Sequence, residues 1–173
     1  KADLEKRDER GRTPLMLATE LRRTEIASIL MKAGADVNAR DNKQDTPYLY
    51  AGAEGLLDIL KMTLTHGADL KSTNRYGGTA LIPAAEKGHI ENVKVLITAG
   101  VDVNHINKLG WTALMEAVVL TDGSKKYVEI IRLLIEGGAD VNIPDKNGVT
   151  ALAHARKKGF KEIEKLLIQS GAK

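Results

Sequence analysis

The side chains best suited to acid–base or metal chemistry near neutral pH are four histidines, His66, His89, His105 and His154. No two stand four residues apart, and none brackets a Glu at the spacing that puts two imidazoles and a carboxylate on one helical face. His89 follows Glu86-Lys87-Gly88 in a turn and reads as a structural residue. Oxygen donors for calcium are offered by Asp36, Asn38 and Asp41, and by Asp140, Asn142 and Asp145. Their spacing is not that of an EF-hand loop and the bidentate Glu is missing. Asp and Asn bond nearby backbone groups in turns, which accounts for these residue types without a metal. Gly77-Gly78 is an isolated pair, no phosphate-binding Gly-x-x-x-x-Gly-Lys run exists, and no Ser sits in a Gly-x-Ser-x-Gly elbow. The chain has no cysteine, hence no disulfide, thiolate ligand or thiol nucleophile. No catalytic residue, metal ligand or cofactor site is assigned, and the chain reads as a non-enzyme.

Charge narrows the partners. The 26 basic and 23 acidic residues leave a net charge of +3, and the signs alternate along the chain, so no nucleic-acid footprint is expected. Arg156, Lys157, Lys158, Lys161 and Lys165 cluster near the end, but Glu162 and Glu164 dilute them, as on a solvated face. No stretch reaches the roughly 18 apolar residues of a membrane span, and no membrane partner is expected. The cytoplasm is the favoured compartment; the periplasm or the exterior follows if a signal sequence was removed upstream.

What positions these residues is a repeat. Thr13, Thr46, Thr79, Thr112 and Thr150 are spaced by 33, 33, 33 and 38 residues, and Gly34, Gly67, Gly100, Gly138 and Gly171 keep the same phase. Two residue classes thus agree on one period, and one unit carries five extra residues. Each unit opens with a turn such as Asp8-Glu9-Arg10-Gly11, followed by a Thr-Pro or Thr-Ala helix start. After a short first helix, a second carries apolar residues at helical spacing: Ile26, Ile29 and Leu30; Val93, Leu96 and Ile97; Ile130, Leu133 and Leu134; Ile163, Leu166 and Leu167. The glycine ends it in a left-handed conformation. The core must be aliphatic, since 43% of residues are hydrophobic and only 3% aromatic.

A 33-residue period with Gly-x-Thr-Pro-Leu, two helices and Gly-Ala-Asp-Val-Asn resembles the ankyrin repeat. The third and fourth units are most similar to small bacterial ankyrin proteins. The resemblance implies an all-α solenoid of stacked helix-turn-helix units with β-turn fingers, one domain over 1–173. Its repeats fall at 8–40, 41–73, 74–106, 107–144 and 145–173, with 1–7 the tail of an upstream repeat. The family's usual histidine after Thr-Pro-Leu is replaced by Met16, Leu49, Ile82, Met115 and Ala153. The five extra residues are expected within Thr121 to Tyr127, projecting toward the groove edge and removable at little cost.

Such a stack presents a concave face of turn tips and first helices, and the resemblance implies a scaffold that binds a protein partner there as a monomer. Arg75, Tyr76 and Trp111 bring hot-spot residue types to two adjacent tips. Glu86, Lys87, Lys108, Glu116 and Leu120 complete the expected partner-binding set. Trp111 reads equally as a clamp between tips. Glu116 and His154 hold matching positions and are expected to meet across the groove in a structural contact. The alternative function is a small-molecule or enzymatic site in the groove of the third to fifth repeats. Nearest-neighbour packing also makes the first repeat, with one neighbour, the weakest. Amide hydrogen exchange should therefore be faster across residues 8–40 than across 74–106; equal protection would contradict one-dimensional coupling.

Overall fold

Four of the five helix pairs start where a threonine side chain meets free backbone N–H groups. The computed structural model describes residues 2–173; Lys1, the first residue of the segment read as an upstream tail, lies outside the described residues. Ten helices follow in five pairs: α1 (Pro14–Glu20) and α2 (Thr24–Lys32), α3 (Pro47–Ala53) and α4 (Leu57–Thr65), α5 (Leu81–Glu86) and α6 (Ile90–Ala99), α7 (Ala113–Val119) and α8 (Lys125–Glu136), α9 (Ala151–Lys158) and α10 (Lys161–Gln169). No strand occurs among the described residues. The hydroxyls of Thr13, Thr46, Thr112 and Thr150 accept from the backbone N–H of Met16, Leu49, Met115 and Ala153. Each bond satisfies one of the donors that a helix start leaves free. Thr79 is the exception: Ala80 is already helical in conformation, and the Thr79 hydroxyl is buried without a partner.

The pairs stack because small and aliphatic residues recur at one phase. Ala18, Ala51, Ala84, Ala117 and Ala155 are buried in the five first helices, as are Leu15, Tyr48, Leu81, Leu114 and Leu152. Gly34, Gly67, Gly100, Gly138 and Gly171 follow the second helices with φ between 85° and 98°. No atom lies within 4 Å of where a Cβ would stand on any of them, so the sign of φ, and not space, requires glycine.

The apolar stripe expected on the second helices holds, except in α2. Ile26 and Ile29 are 51% and 66% exposed, while Ala27 and Met31 are buried. The reason is directional. The residues in the place of Ile26 are Ile59, Asn92, Ile130 and Ile163, all buried. Asn92 shows what that position faces, because its amide donates to Ala51 O and Gly52 O of the preceding pair. Ile26 has no preceding pair among the described residues.

A ladder of asparagines joins the loops that follow the second helices. Asn38 donates to Gly67 O and accepts from Asp69 N; Asn104 does the same with Gly138 and Asp140, and Asn142 with Gly171 and Lys173. Glu5 accepts from Asp36 N at the equivalent place. Lys71 interrupts the ladder, since an ammonium cannot accept a hydrogen bond. The second and third pairs are tied instead by Asn92, which reaches Ala51 O and Gly52 O, and by the Lys87–Glu54 ion pair.

The extra residues form the loop 120–124 between α7 and α8 and lengthen α8 to 12 residues. The loop is held rather than loose, so a deletion here would also remove contacts with the following pair. Lys158 Nζ donates to Val119 O (2.5 Å) and Thr121 O (3.1 Å), and Gly123 lies so close to the Phe160 ring that a Cβ there would stand 2.7 Å from it. Restoring the missing rung is the sharper test. Lys71→Asn should raise stability by about 1 kcal/mol, one net hydrogen bond's worth, read as a higher urea midpoint at unchanged slope. A lower midpoint would show that the loops around Lys71 and Asp102 cannot reach ladder geometry.

Candidate partner-binding groove

The turn fingers are built by one side chain each. The main-chain N–H of Asp8, Asp41, Asn74, Asn107 and Asp145 donates to the carbonyl four residues on. The same five side chains accept from the N–H groups two and four residues ahead. The oxygens of Asp41 and Asp145 that suggested a cation thus brace their own turns. Neighbouring fingers are linked by Asn42 N to Arg10 O and Lys108 N to Tyr76 O, both 3.0 Å.

Between the fingers and the first helices runs a groove, and over the second to fourth pairs it deepens into a cleft of about 360 Å³. Its lining comes from the α3, α5 and α7 faces and three fingers, and includes Asp45, Tyr50, Pro83, Leu109 and the expected Arg75, Tyr76, Glu86, Lys87, Glu116 and Leu120. The cleft lies one unit earlier than the third-to-fifth-repeat groove that the alternative function invoked. Tyr76, Leu109 and Leu120 stand 56%, 53% and 49% exposed at its margin. Arg75 lies over the Tyr76 ring at 4.8 Å, and Lys87 pairs with Glu54.

Lys108 and Trp111 stand outside the lining. Lys108 donates from Nζ to Arg75 O at 2.8 Å and packs beneath Gly77, so it fastens adjacent fingers. Trp111 is half-buried and packs against the aliphatic core. Tyr50, Asp45 and Pro83 were absent from the expected set. A signal existed for two of them: Tyr50 and Pro83 stand 66 and 33 residues before Glu116, four places after their own threonines.

The expected Glu116–His154 contact is not made. Glu116 Oε1 accepts from Asn107 Nδ2 at 2.7 Å, and His154 Nε2 meets Asp145 Oδ2 at 2.8 Å. Each first-helix side chain turns back to the finger of its own unit, nine residues earlier, because that finger offers a fixed polar group at hand. The His154 bond, with the Val149 and Asn147 N–H groups, holds the Asp145 carboxyl below its ordinary range. Glu116 is 6% exposed. Burial raises its carboxyl from the ordinary 4.5 to about 7, against the Asn107 bond and with repulsion from Glu86 adding to the rise. Burial, with Asp41 nearby and against Arg75, raises Asp45 too.

An all-helical stack of repeated units presenting one groove defines a helical-repeat solenoid. Residues 1–74 and 48–145 match the family described as Ankyrin repeats (3 copies), and the chain belongs to the ankyrin-repeat family. It is similar to the crystal structure of an ankyrin repeat domain from Acinetobacter baumannii AYE, with 61% identity and a TM-score of 0.98, covering 100% of this chain and 88% of that one. An ankyrin repeat protein from Enterococcus is 48% identical with a TM-score of 0.94, over 97% of this chain and 85% of its own. No functionally curated protein matches. Ankyrin repeats generally serve as protein-interaction modules, and the fold is typically non-enzymatic.

The Glu116 carboxyl gives a signed prediction. A folded-state pKa raised above its ordinary value means the native chain holds that proton more tightly than the unfolded chain. Its contribution to stability is therefore fully present below about pH 4.5 and lost as pH rises through about 7. Glu116→Gln keeps the Asn107 bond and removes the titration. It should match wild type in stability at low pH and exceed it at pH 8 in urea unfolding. Equal stability at both would show that Glu116 titrates normally.

Proposed function

We propose that the protein is a non-catalytic binding module that holds a segment of a protein partner in the groove of its second to fourth helix pairs. The observation that supports this reading most is the cleft itself. Three consecutive units contribute to one continuous depression, with exposed Tyr76, Leu109 and Leu120 beside polar Arg75, Glu86 and Lys87. Apolar anchors mixed with oriented polar groups are the composition of interface centres. In this reading Arg75, Tyr76, Glu86, Lys87, Glu116 and Leu120 touch the partner. Lys108 and Trp111 keep the fingers in place behind them.

Two variants test the division of labour. Tyr76→Ala with Leu120→Ala should fold with an unchanged melting temperature and lose a partner that wild type retains from a lysate of the native cell. The lost affinity should be about 2 kcal/mol or more, as for anchor side chains. Trp111→Ala should do the reverse, lowering unfolding stability by about 2 kcal/mol for a half-buried aromatic while affinity per folded molecule changes little. A partner retained equally by the Tyr76/Leu120 variant would remove the groove from the proposal.

A further inference from the structure

Acidic side chains along the groove are not all alike. Near its first unit, Arg12 engages both Asp8 at 2.8 Å and Glu20 at 2.5 Å. At the fifth, His154 engages Asp145. In the middle, Glu54 is taken by Lys87. Asp45 and Glu86 make no side-chain hydrogen bond or ion pair, and Glu116 spends only Oε1, on Asn107. Its Oε2 has no protein donor, although the residue is more than nine-tenths buried and lines the cleft. The charged groups facing the cleft are thus the carboxylates of Asp45, Glu54, Glu86 and Glu116 against the cations of Arg75 and Lys87. This local negative excess sits in a chain whose net charge is +3.

From the free Oε2 of Glu116, the unpaired Glu86 and Asp45, and the tyrosine and leucine walls around them, we infer that the groove recognises a partner segment through a lysine or arginine side chain inserted between α5 and α7. The inference rests on the groove being the binding surface. A cation in this position meets Glu116 and Glu86 together, and its aliphatic stem runs along Pro83, Leu109 and Leu120. Tyr50 and Tyr76 line the same cleft. The raised Glu116 carboxyl fits this chemistry, because an opposite charge beside Oε2 favours its ionised form and offsets its burial. A partner acidic at this point would instead face Asp45, Glu86 and Glu116, with Arg75 the one unpaired cation of the lining among the described residues.

The test is a selection of random twelve-residue displayed peptides on the immobilised full chain, followed by titration of the synthetic consensus peptide. Enriched peptides should share one lysine or arginine with apolar neighbours. Replacing that residue by norleucine should weaken binding at least about tenfold, the effect of losing a charge-assisted pair. Glu86→Gln with Glu116→Gln should cause a similar loss for the basic peptide and almost none for its norleucine form. Peptides that depend on Tyr76 and Leu120 but carry no basic residue would overturn this inference and leave the binding groove standing. Peptides that bind independently of Tyr76 and Leu120, or no enrichment at all, would overturn both. Binding of spermidine or free argininamide as tight as the peptide would also overturn it, by showing a site for small cations rather than for a protein segment.

Discussion

No helix pair in this chain can bury its apolar residues alone; each needs the next pair laid against it. The alanines at 18, 51, 84, 117 and 155 let first helices approach, and the glycines after each second helix turn the chain back at a fixed angle. Because the same contact must recur at every joint, the spacing between threonines is constrained to 33 residues unless the surplus falls where no joint passes. The loop 120–124 is such a place. Even there the surplus has been drawn into the stack, by Lys158 from the following pair and by the ring of Phe160.

The same constraint decides where recognition resides. Positions that meet the neighbouring pair are buried and mostly apolar, with Tyr48 and Asn92 as exceptions to the aliphatic rule, and each finger's first Asp or Asn is committed to its own backbone. What remains variable is the row four residues after each threonine, together with the tips. In this chain that row reads Leu17, Tyr50, Pro83, Glu116 and His154. The scaffold holds these different groups in one register, so their chemistry can change without the fold changing. Glu116 carries the largest penalty among them, and its position against Asn107 and Glu86 is a local choice of this groove, not a demand of the stack.

Elements set by periodicity were legible in the sequence: helix pairs, four of the five threonine caps, the left-handed glycines and the location of the insertion follow from local chemistry repeated in phase. What sequence left hidden was direction. Ile26 reads as core because its spacing is helical, but spacing does not say which neighbour a face requires, and here that neighbour precedes it. Glu116 and His154 were matched by position, yet two equivalent residues on parallel helices point the same way, so each meets its own finger before it meets the other. Trp111 was placed at a tip by its number, while its ring packs inward on the core. Gln44 adopts φ of 66° in a finger where other units use glycine, a substitution the pattern could not anticipate.

Hydrogen bonds between units link residues at most 41 apart in the chain among the described residues. A fold wired only to its near past can be assembled in the order in which it is made. As the chain emerges from the ribosome, each new helix pair finds its docking surface already complete and never waits for a distant segment to arrive. The groove across the second to fourth pairs takes no lining residue from the fifth pair and does not depend on it to form.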